Sequence, residues 1–355
     1  MAGGDALSAP QCGRAIMGER RKGRQTTRSQ PARALLNYAC RMNLPSLAPL
    51  LREILHPPVR DLAWTLLSPP LLCNAPAPQR HPLTASRWAE HPEELADWLR
   101  LLDSKPEMLD EWLQQRRSHR LGLYYERLWQ FALGQAPDVE LLRANLPIRE
   151  ERQTLGELDL LLRDAEGVHH LELAVKFYLG LDHGERSRHD HWLGPGSHDR
   201  LAIKLQRTCE HQLQLCQTPC ARGILSELTG DAIHSAFWLA GYLFQPWRLK
   251  PAAPAGANPE HLRGRWLRRR DWPDFLRQYP PHTRWQPLPR PSWLAPARLQ
   301  GTDLWQTADF DAWLDAPANH LRPWLLVRLE TDDGTYWSER ERVFLLPDSW
   351  PESAR

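Results

Sequence analysis

Apolar residues change their spacing repeatedly along this chain, and each change predicts a different kind of element. Between about residues 45 and 115 they recur at helical intervals, in SLAPLLREIL, VRDLAWTLLSPPLL and HPEELADWLRLLDSKPEMLDEWLQQR. Leu95, Trp98, Leu99 and Leu102 form one stripe at three- and four-residue steps. Pro69-Pro70 must end a helix, because proline lacks the amide donor and clashes with the preceding turn. RLGLYYERLWQFALGQ (120–135) and HDRLAIKLQRTCEHQLQLC (198–216) also read as helices. VELLRANLPIREE (139–151), both halves of GELDLLLRDAEGVHHLELAVKFYL (156–179) and the almost wholly apolar AIHSAFWLAGYLF (232–244) read as strands. Helix, three strands, helix, strand is an order that suits an α/β (α+β) core, a mixed central sheet flanked by helices.

The remaining segments are less regular. Residues 251–300 are rich in Pro, Arg and Trp and show little period, although RGRWLRRRDWPDFLRQ predicts a short helix. WLLVRLETDDGTYWSERERVFLLPDSW alternates well around Asp332-Asp333-Gly334-Thr335 and predicts a C-terminal hairpin. Residues 1–32 are basic and aperiodic, the composition of a disordered tail. The expected organisation is that tail, a helical region at 45–117, an α/β core at 118–250, an Arg/Trp/Pro-rich arm at 251–300 and, at 301–355, a hairpin packed on the core.

Composition narrows the functional classes. A chain of 355 residues that is 42% hydrophobic and 25% charged can bury a substantial core. Its net charge of +2 creates no strong overall field, so any attraction to nucleic acid has to come from local basic patches. The six scattered cysteines do not resemble a disulfide scaffold, and reduced thiols are expected. With no apolar run of membrane-spanning length and no apolar signal segment, a cytoplasmic protein without membrane contact is expected.

The candidate chemistry lies in GELDLLLRDAEGVHHLELAVKFYL. Strand alternation puts Leu158, Leu160 and Leu162 on the core face with Leu171, Leu173, Val175 and Phe177. The other face then gathers Glu157, Asp159, His170, Glu172, Ala174, Lys176 and Tyr178. Two registers keep the leucines together: one sets Asp159 opposite Glu172, the other sets Asp159 opposite Ala174 and Glu157 opposite Lys176. In either, carboxylates crowd beside a lysine that cannot neutralise them all. A hard divalent ion, Mg²⁺ or Mn²⁺, is their economical partner, and it would lower the pKa of a bound water for phosphodiester cleavage.

This succession, with an acid on the second strand and an acid and lysine on the third, resembles the PD-(D/E)XK nuclease superfamily. The phrases RDLAWTLLSPPLL, LGLYYERLW, GELDLLLRD, HLELAVKFYLG, WLGPGSHDRLAIKL and ERVFLLPDSWP resemble more closely a bacterial family, domain of unknown function 1853, grouped with that superfamily; the likeness spans about residues 45–352. It implies a PD-(D/E)XK nuclease-like core with Asp159 as second-strand metal ligand, Glu172 as third-strand acid, Lys176 as lysine and Glu126 as the helical glutamate. One departure stands out. The usual third-strand acid lies two residues before the lysine, where this chain has Ala174, whereas Glu172 lies roughly 13 Å from Lys176 along the strand. Either Glu157 or Glu126 supplies the missing carboxylate or the centre has decayed.

Basic residues supply a candidate nucleic-acid surface, DNA being the expected partner. Arg200, Lys204, Arg207 and His211 line one face of the 198–216 helix, from which Lys204 and Gln212 are candidates to reach the cleft. Arg265, Arg268 and Arg269, interleaved with Trp266 and further tryptophans, could grip phosphates and stack on bases. Their alternative is cation-π packing onto the domain. The histidines of 183–198 and Cys209, Cys216 and Cys220 lack the paired spacing of a zinc site. Gly194-Pro195-Gly196 lacks the Lys-Ser/Thr of a phosphate loop and predicts a turn before an N-cap at Ser197. Two readings follow: a metal-dependent phosphodiesterase acting on nucleic acid, or a catalytically inactive nuclease-like fold that binds nucleic acid or protein.

Overall fold

A computed structural model describes residues 43–116, 118–151, 153–331 and 334–351; the expected basic tail and the Asp332-Asp333 turn lie outside them. The helical region contains α1 (Leu47–Glu53), α2 (Pro57–Leu67), α3 (Arg87–Glu90), α4 (Pro92–Ser104) and α5 (Glu107–Gln115), followed by α6 (Leu121–Leu133). Helix α2 stops at Ser68, whose amide still bonds to Trp64 O, immediately before the two prolines. The predicted stripe on α4 is the buried one: Leu95, Leu99 and Leu102 are buried and Trp98 packs against the same core.

Ten strands make one mixed sheet. They are β1 (Glu140–Glu150), β2 (Gln153–Asp164), β3 (Gly167–Gly180), β4 (Trp192–Leu193), β5 (Ile233–Pro246), β6 (Leu262–Arg268), β7 (Arg284–Leu288), β8 (Arg298–Gln300), β9 (Trp324–Thr331) and β10 (Tyr336–Leu346). Their order is β1-β2-β3-β5-β6-β10-β9-β7, with β4 on β3 and β8 on β10. The β3–β5 pair is parallel, so the chain crosses over the sheet between them through α7 (Leu201–Arg207) and α8 (Pro219–Ser226). Because both faces are covered, β3 and β5 are buried along most of their length; β5 is a nearly continuous apolar run, while β3 also buries His169, His170 and Glu172.

The N-terminal helices share one core with the sheet. Trp64 of α2 stacks on Tyr242 of β5 at 5.7 Å and donates its Nε1–H to the tyrosine hydroxyl at 2.9 Å, joining two distant segments by area and by a satisfied polar handle. On the opposite face, Leu201 and Leu205 of α7 lie in one apolar cluster with Ala174, Tyr178, Phe237 and Leu239.

Several expectations are corrected. RGRWLRRRDWPDFLRQ is only partly helical: its first half is β6, an interior strand, and the helix, α9, is confined to Trp272–Leu276. The turn before α7 does not use Ser197 as its cap. Ser197 sits at φ 66° within the turn, and the helix begins at Leu201 with Arg200 in the N-cap position. Cys73 is disulfide-bonded, while Cys209, Cys216 and Cys220 are free thiols. No helix among the described residues is long and apolar enough to cross a membrane.

Gly241 marks where β5 meets the strand of the candidate lysine. It pairs with Lys176 at φ 138°, and a Cβ there would lie 1.7 Å from Lys176 O. Gly241→Ala is therefore expected to cost about 2–4 kcal/mol in urea denaturation, through strain and displacement of β3. Gly122→Ala, in open space on α6, should instead be neutral or stabilise by up to about 1 kcal/mol.

Candidate functional site

The site begins where β2 and β3 separate. Their ladder runs from Asp164↔Gly167 to Leu160↔Leu171, the register that sets Asp159 opposite Glu172. Past Leu171 the carboxylate of Asp159 replaces the backbone as acceptor, its Oδ2 receiving the Leu173 amide at 2.8 Å. From there β2 stays with β1 while β3 continues on β5. The β1–β2 pairs Ala144↔Leu160 and Leu146↔Leu158 bracket Asn145, which adopts φ 51°. Beside this kink the alternation of β2 breaks. Leu160 and Leu162 enter the core under the N-terminal helices as expected, but Leu158 joins Leu161 and Ile148 in a cluster with α8, which corrects the predicted face for Leu158.

Glu172 is buried and both its oxygens are engaged. Oε1 meets His170 Nε2 at 3.0 Å, and Oε2 accepts from the Gln212 side-chain amide. His170 Nδ1 in turn contacts Ser235 Oγ at 3.2 Å. Burial disfavours the charged imidazole, but its hydrogen bonds to Cys216 and Glu172 outweigh this and raise its pKa to about 9. Gln212 closes a π-helical turn, Thr208–Gln212, that extends α7. Its Oε1 accepts from Lys204 Nζ at 2.8 Å and from Thr208 Oγ1 at 3.0 Å.

Glu126 approaches from α6. Asn145 Nδ2 donates to its Oε2 at 3.1 Å, and Gln130 Nε2 holds Asn145 Oδ1 at 2.5 Å, so the kinked residue of β1 aims the helical acid. Burial, then repulsion from Glu157 and Glu172, raises the Glu126 pKa. Asp159 is held well above the ordinary carboxylate range by burial first, then by Glu172 and Glu126. Lys204 is shifted down by burial, against the attraction of Glu172 and Asp159. Glu157 is exposed at the rim. The structure thus brings Asp159, Glu172, Glu126 and Lys204 into one electrostatic neighbourhood.

Other sequence-selected residues lie elsewhere or are already engaged. Lys176 is on the same face, but its Nζ donates to Asp199 Oδ2 at 2.5 Å, and Asp199 Oδ1 accepts from the Tyr178 hydroxyl at 3.4 Å. Trp266 is a core residue, 2% exposed, with its Nε1–H on Gly180 O. Arg265 pairs with Glu341 and Tyr279, Arg268 with Asp182 and Trp350 O, and Arg269 with Leu314 O and Asn319 O. The tryptophans at 272, 285 and 293 are buried too, so this segment presents no indole platform. Arg200 and Arg207 have no acidic partner among the described residues and flank Lys204 on α7.

Among the described residues, the His and acid trio whose ligand atoms lie within 4.8 Å of one another is Asp164, Glu166 and His169 at the hairpin turn. Arg80 already bridges its two acids at 2.6 and 2.9 Å. Asp159, Glu172 and Glu126 are spaced more widely than that. Sequence reasoning missed Asp199 and Asn145. A carboxylate ending the Gly-rich turn before α7 was a signal for Asp199; nothing in the β1 pattern singled out Asn145.

The fold and the site together define a mixed α/β protein whose ten-stranded sheet, flanked by helices, holds a cluster of acids and a lysine where two central strands part. The chain belongs to the family described as domain of unknown function (DUF1853), whose model matches residues 60–346. No curated protein and no solved structure matches it.

The raised carboxyl of Asp159 has a definite pH signature. An unfolded Asp releases its proton near pH 4, whereas the folded one retains it to higher pH. The native state therefore binds more protons within that window, and stability falls as pH rises through it. Asp159→Asn keeps an oxygen for the Leu173 amide and removes the charge. In chelator-treated buffer the Tm of this variant should exceed that of the wild type by a margin that grows from pH 4 to pH 8; a margin that shrinks would contradict the shift.

Proposed function

We propose that this protein is a metal-dependent phosphodiesterase acting on nucleic acid, built on a PD-(D/E)XK-like core. The observation that carries this reading is the group of mutually repelling acids, Asp159, Glu172 and Glu126, gathered where β2 and β3 part, with a lysine beside them. Asp159 and Glu126, both with raised pKa beside a third buried acid at a break in a covered sheet, have the environment that candidate functional sites share. Their oxygen donors suit Mg²⁺ or Mn²⁺, which prefer carboxylates and water to nitrogen and sulfur. When bound, such an ion would acidify a water for attack on phosphorus and stabilise the charge that develops as the P–O bond to the leaving oxygen breaks. The chain's own contribution is to aim the carboxylates: the Leu173 amide orients Asp159, His170 and Gln212 orient Glu172, and Asn145 orients Glu126. Arg200 and Arg207 offer unpaired guanidinium groups for the phosphate backbone.

A second reading, a catalytically silent fold that binds nucleic acid, is favoured by the spacing of the acids and by the Lys176–Asp199 pair. Cleavage of plasmid and of labelled DNA and RNA oligonucleotides, with Mg²⁺ or Mn²⁺ against chelator, separates the two. Ion-dependent cleavage that drops at least about a hundredfold in Asp159→Ala supports the enzyme. Binding without turnover supports the silent fold. In either case Arg200→Ala and Arg207→Ala should each weaken binding and reduce the slope of log affinity against log salt by about one.

A further inference from the structure

Two lysines reach the acid-bearing face of the sheet, and their surroundings differ. Lys176 is held by Asp199. The turn carrying that aspartate is itself fixed, with Gly194 N donating to Asp199 O at 2.8 Å and Trp350 Nε1 to Pro195 O at 3.0 Å. Lys176 therefore ties β3 to the turn that leads into α7, and its charge is met by Asp199, although both groups are still felt by Lys204.

Lys204 has the opposite setting. Its ammonium donates to Gln212 Oε1 at 2.8 Å, and the amide of the same Gln212 donates to Glu172, so one side chain ties the helical lysine to the central acid. The π-helical turn keeps Gln212 there, with Thr208 as a second donor to its oxygen. Leu201 and Leu205, in the apolar cluster on this face, fix the helix against the sheet, so Lys204 cannot swing away freely. Glu172 and Asp159 are its strongest attractions. A carboxylate oxygen has more than one acceptor site, so the bonds from His170 and Gln212 leave Glu172 able to accept a further cation.

We infer that Lys204, rather than Lys176, is the lysine of this site: a resident ammonium that, with the His170 imidazole on the far side of Glu172, shares the field of Glu172 and Asp159 with one divalent ion, excludes a second, and faces the substrate phosphate. This rests on the metal-binding reading above and assigns roles within it. Lys204 acts at long range on the acids, and Gln212 is a positioning residue that acts through Glu172.

The test is Mn²⁺ binding to the full-length protein, followed by the electron paramagnetic resonance signal of the free ion and by calorimetry. Lys204→Gln, Lys204→Met, Lys204→Arg and Lys176→Met are compared with the wild type, each after circular dichroism has confirmed folding. Removing the ammonium should tighten Mn²⁺ binding about tenfold in Lys204→Gln and Lys204→Met, because one unit of like charge leaves the site. Lys204→Arg should stay near wild type, Lys176→Met should change less than about twofold, and the wild type should take one ion per chain. The inference is overturned if removing Lys204 leaves affinity unchanged, if Lys176→Met shows the tightening instead, or if the wild type binds two ions. The wild-type titration reports separately on the metal-binding reading. Uptake by Lys204→Gln but not by the wild type would leave the resident cation standing and defeat that reading; no uptake by either would defeat both.

Discussion

One hydrogen bond organises the centre of this molecule, that from the Leu173 amide to the carboxylate of Asp159. A backbone amide inside a covered sheet must find an acceptor, and leaving it unpaired costs about 1–3 kcal/mol. If a β2 carbonyl took that amide, the antiparallel ladder would continue and the strands would stay closed. Because a side chain takes it, β2 can leave β3 without orphaning the amide, and Glu172, Glu126 and Lys204 share the electrostatic neighbourhood of Asp159 at that break, a wedge between the strands. The left-handed backbone of Asn145 and the left-handed Gly241 lie beside the same wedge, one on each flanking strand. Irregularities of this kind concentrate at functional sites, because regular sheet gains nothing from them.

Acids elsewhere are treated in two ways: Asp61, buried and bonded by the Tyr124 hydroxyl and the Ala295 amide, is pushed up to about 6, whereas others are met by basic side chains. Burial would raise the pKa of Asp164, yet His169 and Arg80 hold it below its ordinary value. Glu339 lies against the buried guanidinium of Arg342, bonded by its Nε and Nη2. Glu341 is met by Arg265 and Arg328. At these three acids arginine supplies the countercharge, which is how folded proteins avoid uncompensated charge. At Asp159 and Glu126 burial and neighbouring acids prevail, and the cations nearby are the Lys204 ammonium, bonded to an amide, and the His170 imidazole, whose raised pKa keeps it protonated against Glu172. Such an arrangement lowers the stability of the folded protein at the pH where these groups ionise.

Much of the scaffold was legible in the sequence because it depends on local periodicity. The helices ending at Leu67 and Leu133, the strands around Ile148, Leu161 and Leu239, and the pairing of β9 with β10 follow from apolar spacing and from proline or glycine punctuation. The choice of register was legible only as two alternatives, since both kept leucines on one face; the side-chain acceptor at Asp159 accompanies one of them. Leu158 was not legible, because the break in the alternation of β2 lies beside Asn145, a positive-φ residue on a neighbouring strand. The Arg- and Trp-rich segment misled for a physical reason. Composition records that guanidinium and indole groups are present, but their partners, Glu341, Asp182, Gly180 O and Leu288 O, lie on other elements, and these turn the residues inward. Asp199 escaped notice likewise, being paired with Lys176 across 23 residues of loop and strand.

The departure at position 174 also has a structural explanation. Two residues before Lys176, where the resemblance leads one to expect an acid, Ala174 is nearly buried in the apolar cluster that includes Leu201, Leu205 and Leu213. A carboxylate there would be desolvated among leucines, and its larger side chain would press on the helix that carries Lys204. A small apolar residue lets that helix settle close to the sheet, and the same close approach brings Lys204 and Gln212 to Glu172. The small apolar residue on the strand and the lysine on the helix are thus two sides of one packing arrangement, in which the polar cluster lies toward the wedge and the strand position beneath the helix is given over to the core.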